Sequence, residues 1–189
     1  MTRAVLLVDL DDTLFQTLRK RPADVPEARL MPMAVARDGS PLAFATPRQL
    51  RFLEWLSHDA ALIPVTARSL DALRRVHISF TQAICAHGAV LLGEDGRPDR
   101  AWAEEIASAA AVQAATLQAL LGRAEALSLA GGHDLQIRVQ AEDGVPLYLL
   151  LKHPQADEAA LSAVTAALRC PHGWLLHRNG NNAAGHSAF

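Results

Sequence analysis

Two carboxylates and a hydroxyl stand at alternate positions near the start of the chain, Asp9, Asp11 and Thr13. Paired carboxylates this close repel each other unless a cation or a shared proton offsets the charge. Such a pair suits phosphoryl transfer. A carboxylate can attack phosphorus and form an aspartyl-phosphate. A second carboxyl two residues on can protonate the leaving oxygen and then activate water. The first carboxylate can also bind Mg²⁺, a hard cation that prefers oxygen ligands. A calcium loop is a poor fit, because Lys20 stands where the bidentate Glu would be and Leu14 where the Gly would be.

The elements that must position these groups follow from the flanking pattern. Ala4-Val5-Leu6-Leu7-Val8 is a continuous apolar run leading into Asp9. It predicts a strand buried on both faces, of the kind found inside parallel sheets. Ligands bind outside the carboxyl ends of such strands. Ala60-Ala61-Leu62-Ile63-Pro64-Val65 is a second short apolar strand, and it ends in Thr66-Ala67-Arg68-Ser69 with a helix start behind. A hydroxyl at a strand end beside a helix N-terminus can bind a phosphate oxygen. Between the two strands, residues 16–30 read as a loop or flap. Residues 33–44 read as a hairpin with Asp38-Gly39 at its tip, and a flexible loop is the competing reading. Thr46-Pro47-Arg48-Gln49 opens a helix with a capping box and Pro at its first position. Gln82 to Leu92 reads as a third strand with a tight turn, in which His87 either serves the turn or faces a substrate cleft.

The second half has a different texture. Residues 101–130 are rich in alanine, with a leucine stripe that predicts a long amphipathic helix, with Gly122 as a potential break. Residues 133–140 alternate, Asp143-Gly144 turns the chain, and Leu147 to Leu151 returns as a partner strand. Pro154 to Leu168 predicts another helix, and Gly173 to His177 a short strand.

Val8-Asp9-Leu10-Asp11-Asp12-Thr13-Leu14 resembles the first motif of the haloacid-dehalogenase-like phosphatase superfamily. Thr66-Ala67-Arg68-Ser69 resembles its second motif, in the Thr-Gly-Arg-Ser form of the sugar-phosphatase branches, with Ala67 in place of Gly. His87-Gly88-Ala89 resembles their Asn-Gly-Ala element. The resemblance implies an α/β fold: a Rossmannoid parallel core sheet with an α+β cap inserted after the third core strand. It implies Asp9 as nucleophile, Asp11 as acid/base, Thr66 and Ala67 as phosphate binders, and Asp9 with Asp11 at a Mg²⁺ site. Many members carry Gly where this chain has Asp12, which reads here as a turn residue.

The domain division expected is a core over 1–96, a cap over 97–178, and an irregular tail over 179–189. The family's later Lys and acidic motif are not evident, since no Asp or Glu follows Glu158. Lys152 is either the end of a cap strand or the missing Lys. The expectation is a sheet lacking its last strands, a first strand left at an edge, and self-association along that edge. The function expected is a Mg²⁺-dependent phosphomonoesterase for a small phosphorylated metabolite such as a sugar phosphate, impaired by the missing motifs. The alternative is a catalytically inactive truncated remnant that serves as a binding or regulatory module.

Composition narrows the classes. The chain has 189 residues, half of them hydrophobic, and a net charge of −2, so nucleic acid is not an expected partner. No apolar run reaches membrane-spanning length. Two cysteines, Cys85 and Cys170, stand far apart, which fits reduced thiols and a cytoplasmic setting.

Overall fold

The computed structural model describes residues 4–187. The protein is mixed α/β and divides into two compact units, Met1–Ala103 and Glu104–Phe189. The division falls inside a long helix, past the Asp95-Gly96 turn where the boundary was expected.

In the first unit, strand β1 (Ala4–Val8) pairs in parallel with β4 (Ala60–Pro64), in the register Val8 opposite Pro64. The parallel ladder extends beyond β4: Val65 bridges Ile84 at the start of a short antiparallel pair, β5 (Ala83–Cys85) and β6 (Val90–Leu92). The tight turn between β5 and β6 holds Ala86, His87 and Gly88 at φ of 52°, 58° and 92°. The expected hairpin forms as β2 (Met31–Val35) and β3 (Pro41–Ala45), with Gly39 at φ 83° in its turn. Pro41 opens β3, a position that needs no ladder N–H. Helix α1 (Pro47–Asp59) carries the predicted capping box. Gln49 N–H donates to Thr46 Oγ1, and Thr46 N–H donates to Gln49 Oε1.

One expectation is corrected here. β1 was to be buried on both faces, yet Val5 is 59% and Leu7 66% exposed. Among the described residues only β4 pairs with β1. Its other edge and the face bearing Val5 and Leu7 are uncovered, so only the alternate residues Leu6 and Val8 are half-buried.

In the second unit, α3 (Arg100–Ala130) supplies the helix and runs through Gly122 without interruption. β7 (Gln136–Glu142) and β8 (Val145–Lys152) pair antiparallel around Asp143-Gly144, whose φ of 46° and 79° suit an Asp-Gly hairpin turn. α4 (Glu158–Ala167) begins later than expected, because Asp157 is its N-cap rather than a first-turn residue. β9 (Trp174–Asn179) and β10 (Asn182–Ser187) form a second hairpin, which gives the sheet order β7-β8-β10-β9. The expected irregular tail over 179–189 is therefore wrong for residues 182–187. Asn-Gly-Asn-Asn is a turn, and the small residues Ala183, Ala184 and Gly185 pair with Leu151, Leu150 and Leu149 of β8. Their lack of bulk hid the strand. Leu117, Leu149, Leu151, Leu161 and Val164 form the core here, none more than 2% exposed.

Candidate active site

The acidic loop is a tight turn built on one carbonyl. Leu10 O accepts from Leu14 N–H at 2.9 Å, and Asp12 N–H donates to Phe15 O at 2.7 Å. Leu10, Leu14 and Phe15 are fully buried, so apolar anchors hold the loop while its carboxylates face outward. Asp12 has φ 64°, a left-handed conformation that Gly adopts freely and Asp tolerates. Its carboxylate pairs with Lys20, which supports the reading of Asp12 as a turn residue.

Asp9 follows β1 and Thr66 follows β4, so both lie at the carboxyl ends of neighbouring parallel strands. The strands are tied at that point by Val65 N–H donating to Val8 O at 2.8 Å. Asp9 is exposed, and its Oδ2 accepts from Thr13 Oγ1 at 3.0 Å. Thr66 is buried. Its N–H is used by Ile84 O at 2.9 Å, and its Oγ1 accepts from Arg68 N–H at 3.2 Å. That leaves the hydroxyl proton to donate. Ala67 is exposed at the same turn. The helix behind it, α2 (Leu70–Leu73), is a single turn capped by Ser69. A helix that short adds little dipole.

Asp11 is placed differently from what its spacing implies. Arg68 holds both of its oxygens, Nε to Oδ2 at 2.7 Å and Nη2 to Oδ1 at 2.8 Å. The guanidinium also lies over the Phe15 ring, 5.2 Å from its centroid. Bidentate geometry and a flat stacking surface make this a well-defined ion pair. Sequence reasoning gave Arg68 no role. The residue was visible within Thr-Ala-Arg-Ser, but its partner lies 57 positions away. The polar ties around Gln49 were also missed. Gln49 Nε2 donates to Thr13 O at 3.3 Å and to Gln16 Oε1 at 2.6 Å, so the α1 cap braces the acidic loop.

The Mg²⁺ set expected from Asp9 and Asp11 does not fit these contacts. A metal at Asp11 would compete with a guanidinium already bound to both oxygens. Asp12 is paired to Lys20, and no group of three or more His, Cys, Asp or Glu comes together among the described residues. Lys152 is the last residue of β8, in the second unit, opposite Gln136 and Asn182.

No family model matches the chain, and no curated protein matches it. Among solved structures, a trehalose-6-phosphate phosphatase related protein aligns with TM-score 0.43 and 13% identity, over 97% of this chain and 68% of that one. The C-terminal domain of C. albicans trehalose-6-phosphate phosphatase aligns with TM-score 0.46 and 11% identity, over 98% of this chain and 57% of that one. The Aspergillus fumigatus trehalose-6-phosphate phosphatase gives TM-score 0.34 and 15% identity, over 98% and 61%. These are coarse likenesses, and the chain spans less than two thirds of the latter two. No helix among the described residues is long and apolar enough to cross a membrane.

Proposed function

We propose that the first unit is a phosphoryl-transfer unit of the haloacid-dehalogenase-like kind, acting on a small phosphorylated metabolite such as a sugar phosphate. The observation that supports this most is the placement of Asp9 and Thr66 at the carboxyl ends of adjacent parallel strands, joined by the Val65–Val8 hydrogen bond. In this reading Thr66 O–H and Ala67 N–H hold phosphoryl oxygens. Asp9 attacks phosphorus, an oxygen–phosphorus bond forms, and the bond to the leaving oxygen breaks. Asp11 gives its proton to that oxygen and then takes one from the water that hydrolyses the acyl phosphate. The O–H of Asp11 must point at the leaving oxygen and not at the Arg68 guanidinium, so turnover loosens the fork. Because the donor set does not fit two-carboxylate metal binding, no step is assigned to Mg²⁺, and its affinity is expected to be weak.

The Arg68–Asp11 pair also favours a second reading, a non-catalytic module that binds a phosphorylated ligand. One experiment separates the two. Turnover of p-nitrophenyl phosphate should fall by more than about a thousandfold in Asp9→Asn, since an amide cannot form the acyl phosphate. Equal slow rates in both proteins would remove the catalytic reading.

A further inference from the structure

A second feature of the first unit has no part in that chemistry. A cavity of about 380 Å³ opens between the loop after Pro22 and the start of α1, lined by Arg29, Arg48 and Arg51 with Asp24. Its volume is in the range of small-ligand sites. Thr46 and Pro47, the cap and first residue of α1, form part of its wall. Arg21 Nη1 pins the loop by donating to Val25 O at 2.9 Å.

The charge balance is unusual for this chain. Three arginines and one aspartate line it in a protein whose net charge is −2. None of the three guanidiniums has a hydrogen bond or ion pair among the described residues. Other arginines of the unit do pair with carboxylates, Arg68 with Asp11 and Arg37 and Arg75 with Asp71, while Arg74 and Arg97 stand singly among the described residues. Unpaired arginines converging on one concave surface attract a multiply charged oxyanion, which guanidinium forks bind in bidentate fashion. The positive end of α1, a helix of 13 residues, adds to the same field.

The geometry points to an anion site here, distinct from the acidic loop, that takes a phosphorylated small molecule through Arg29, Arg48 and Arg51. Inorganic pyrophosphate is a suitable probe for titration calorimetry on the full chain at low ionic strength. Binding at this site should be saturable, and added salt should weaken it. Arg48→Gln and Arg51→Gln should each weaken it about tenfold, the worth of one charge-assisted contact. Arg29→Gln, which changes the loop side and leaves α1 untouched, should do the same. All three side chains are exposed, so circular dichroism should show unaltered folds. Thr66→Ala, at the other anion edge, should leave the affinity unchanged. Absence of saturation at millimolar pyrophosphate would overturn the proposal. So would binding that survives the arginine changes but is lost in Thr66→Ala, which would put the anion at the acidic loop.

Discussion

The two units hold themselves together by different means. The second unit stacks α3 and α4 residues against a four-stranded antiparallel sheet, and its core leucines Leu117, Leu149, Leu151 and Leu161 are almost wholly buried. The first unit has a two-stranded parallel ladder whose outer strand leaves Val5 and Leu7 in solvent. Its acidic loop is anchored by buried Leu10, Leu14 and Phe15 and tied at its exposed side by polar contacts: the Arg68–Asp11 fork, the Lys20–Asp12 pair, the Gln49 ties and the Thr46 cap. Apolar packing is non-directional and builds a stable body. Hydrogen-bonded charges hold a few side chains at fixed positions while keeping them wet, which is what a reactive loop needs.

Equivalent truncations should expose that difference most strongly. Leu149→Ala removes a fully buried side chain and should cost about 2–5 kcal/mol, the transfer and cavity terms together. Leu7→Ala, on the exposed strand, should change stability by no more than about 0.5 kcal/mol. Urea unfolding of the two variants measures both. Similar losses would mean that β1 is covered in solution and the contrast is false.

A smaller effect is expected from the first unit's main polar tie. Arg68→Ala removes the fork on Asp11 and the stacking on Phe15. Asp11 is more than a third exposed, so solvent screens the pair, and a loss of about 1 kcal/mol is expected. A double-mutant cycle with Asp11→Ala should return a coupling of about 0.5–1 kcal/mol. A coupling near zero would show that the fork contributes nothing measurable in solution.

The same contrast explains what could be read from the sequence. Local signals carried well: the Thr46-Pro47-x-Gln49 box, the Asp38-Gly39 and Asp143-Gly144 turns and the alanine-rich helix all reside in a few adjacent residues. β10 was invisible because Asn182 to Ser187 has no apolar alternation of its own. It is a strand only because β8 and β9 offer ladders on both sides. By composition β1 looks like a buried central strand, and only the missing later motifs pointed to an edge. Burial depends on what covers it, and that is not encoded within five residues. Of the candidate residues, Asp9, Asp11 and Thr66 stood out by type and spacing, and Ala67 entered only through the family resemblance. The partner that holds Asp11 did not stand out, since nothing local ties residue 68 to residue 11.

The exposed edge itself supports a weaker expectation. We infer that β1 pairs with β1 of a second copy, because its outer backbone groups are unpaired among the described residues and residues 4–8 carry no charge to repel a like strand. Light scattering should show an average mass that rises with concentration. Leu7→Lys should lower it, since inserting a charge on the edge blocks pairing. A mass that stays monomeric at all concentrations would rule the pairing out.

The smallest effect belongs to the second unit, and it tests whether polar capping matters at all where packing dominates. Asp157 caps α4, its Oδ1 accepting from Ala159 N–H at 2.9 Å and Ala160 N–H at 3.0 Å. These bonds hold its carboxyl below the usual 3.8, the Ala160 N–H most of all, against the opposing pull of desolvation. The sign follows from linkage. A carboxyl depressed in the folded state contributes stability that is present above its unfolded value and is lost as pH falls through the folded one. Thermal unfolding from pH 6 downward should therefore show wild type losing stability below about pH 4. Asp157→Asn keeps a capping oxygen that does not titrate, so its curve should fall less steeply over that interval and approach wild type at the acid end. The gap should be small, because the carboxylate is exposed and screened by solvent. Parallel curves would mean that α4 is held by Leu161 and Val164 alone, and that the cap adds nothing to a unit already fixed by its core.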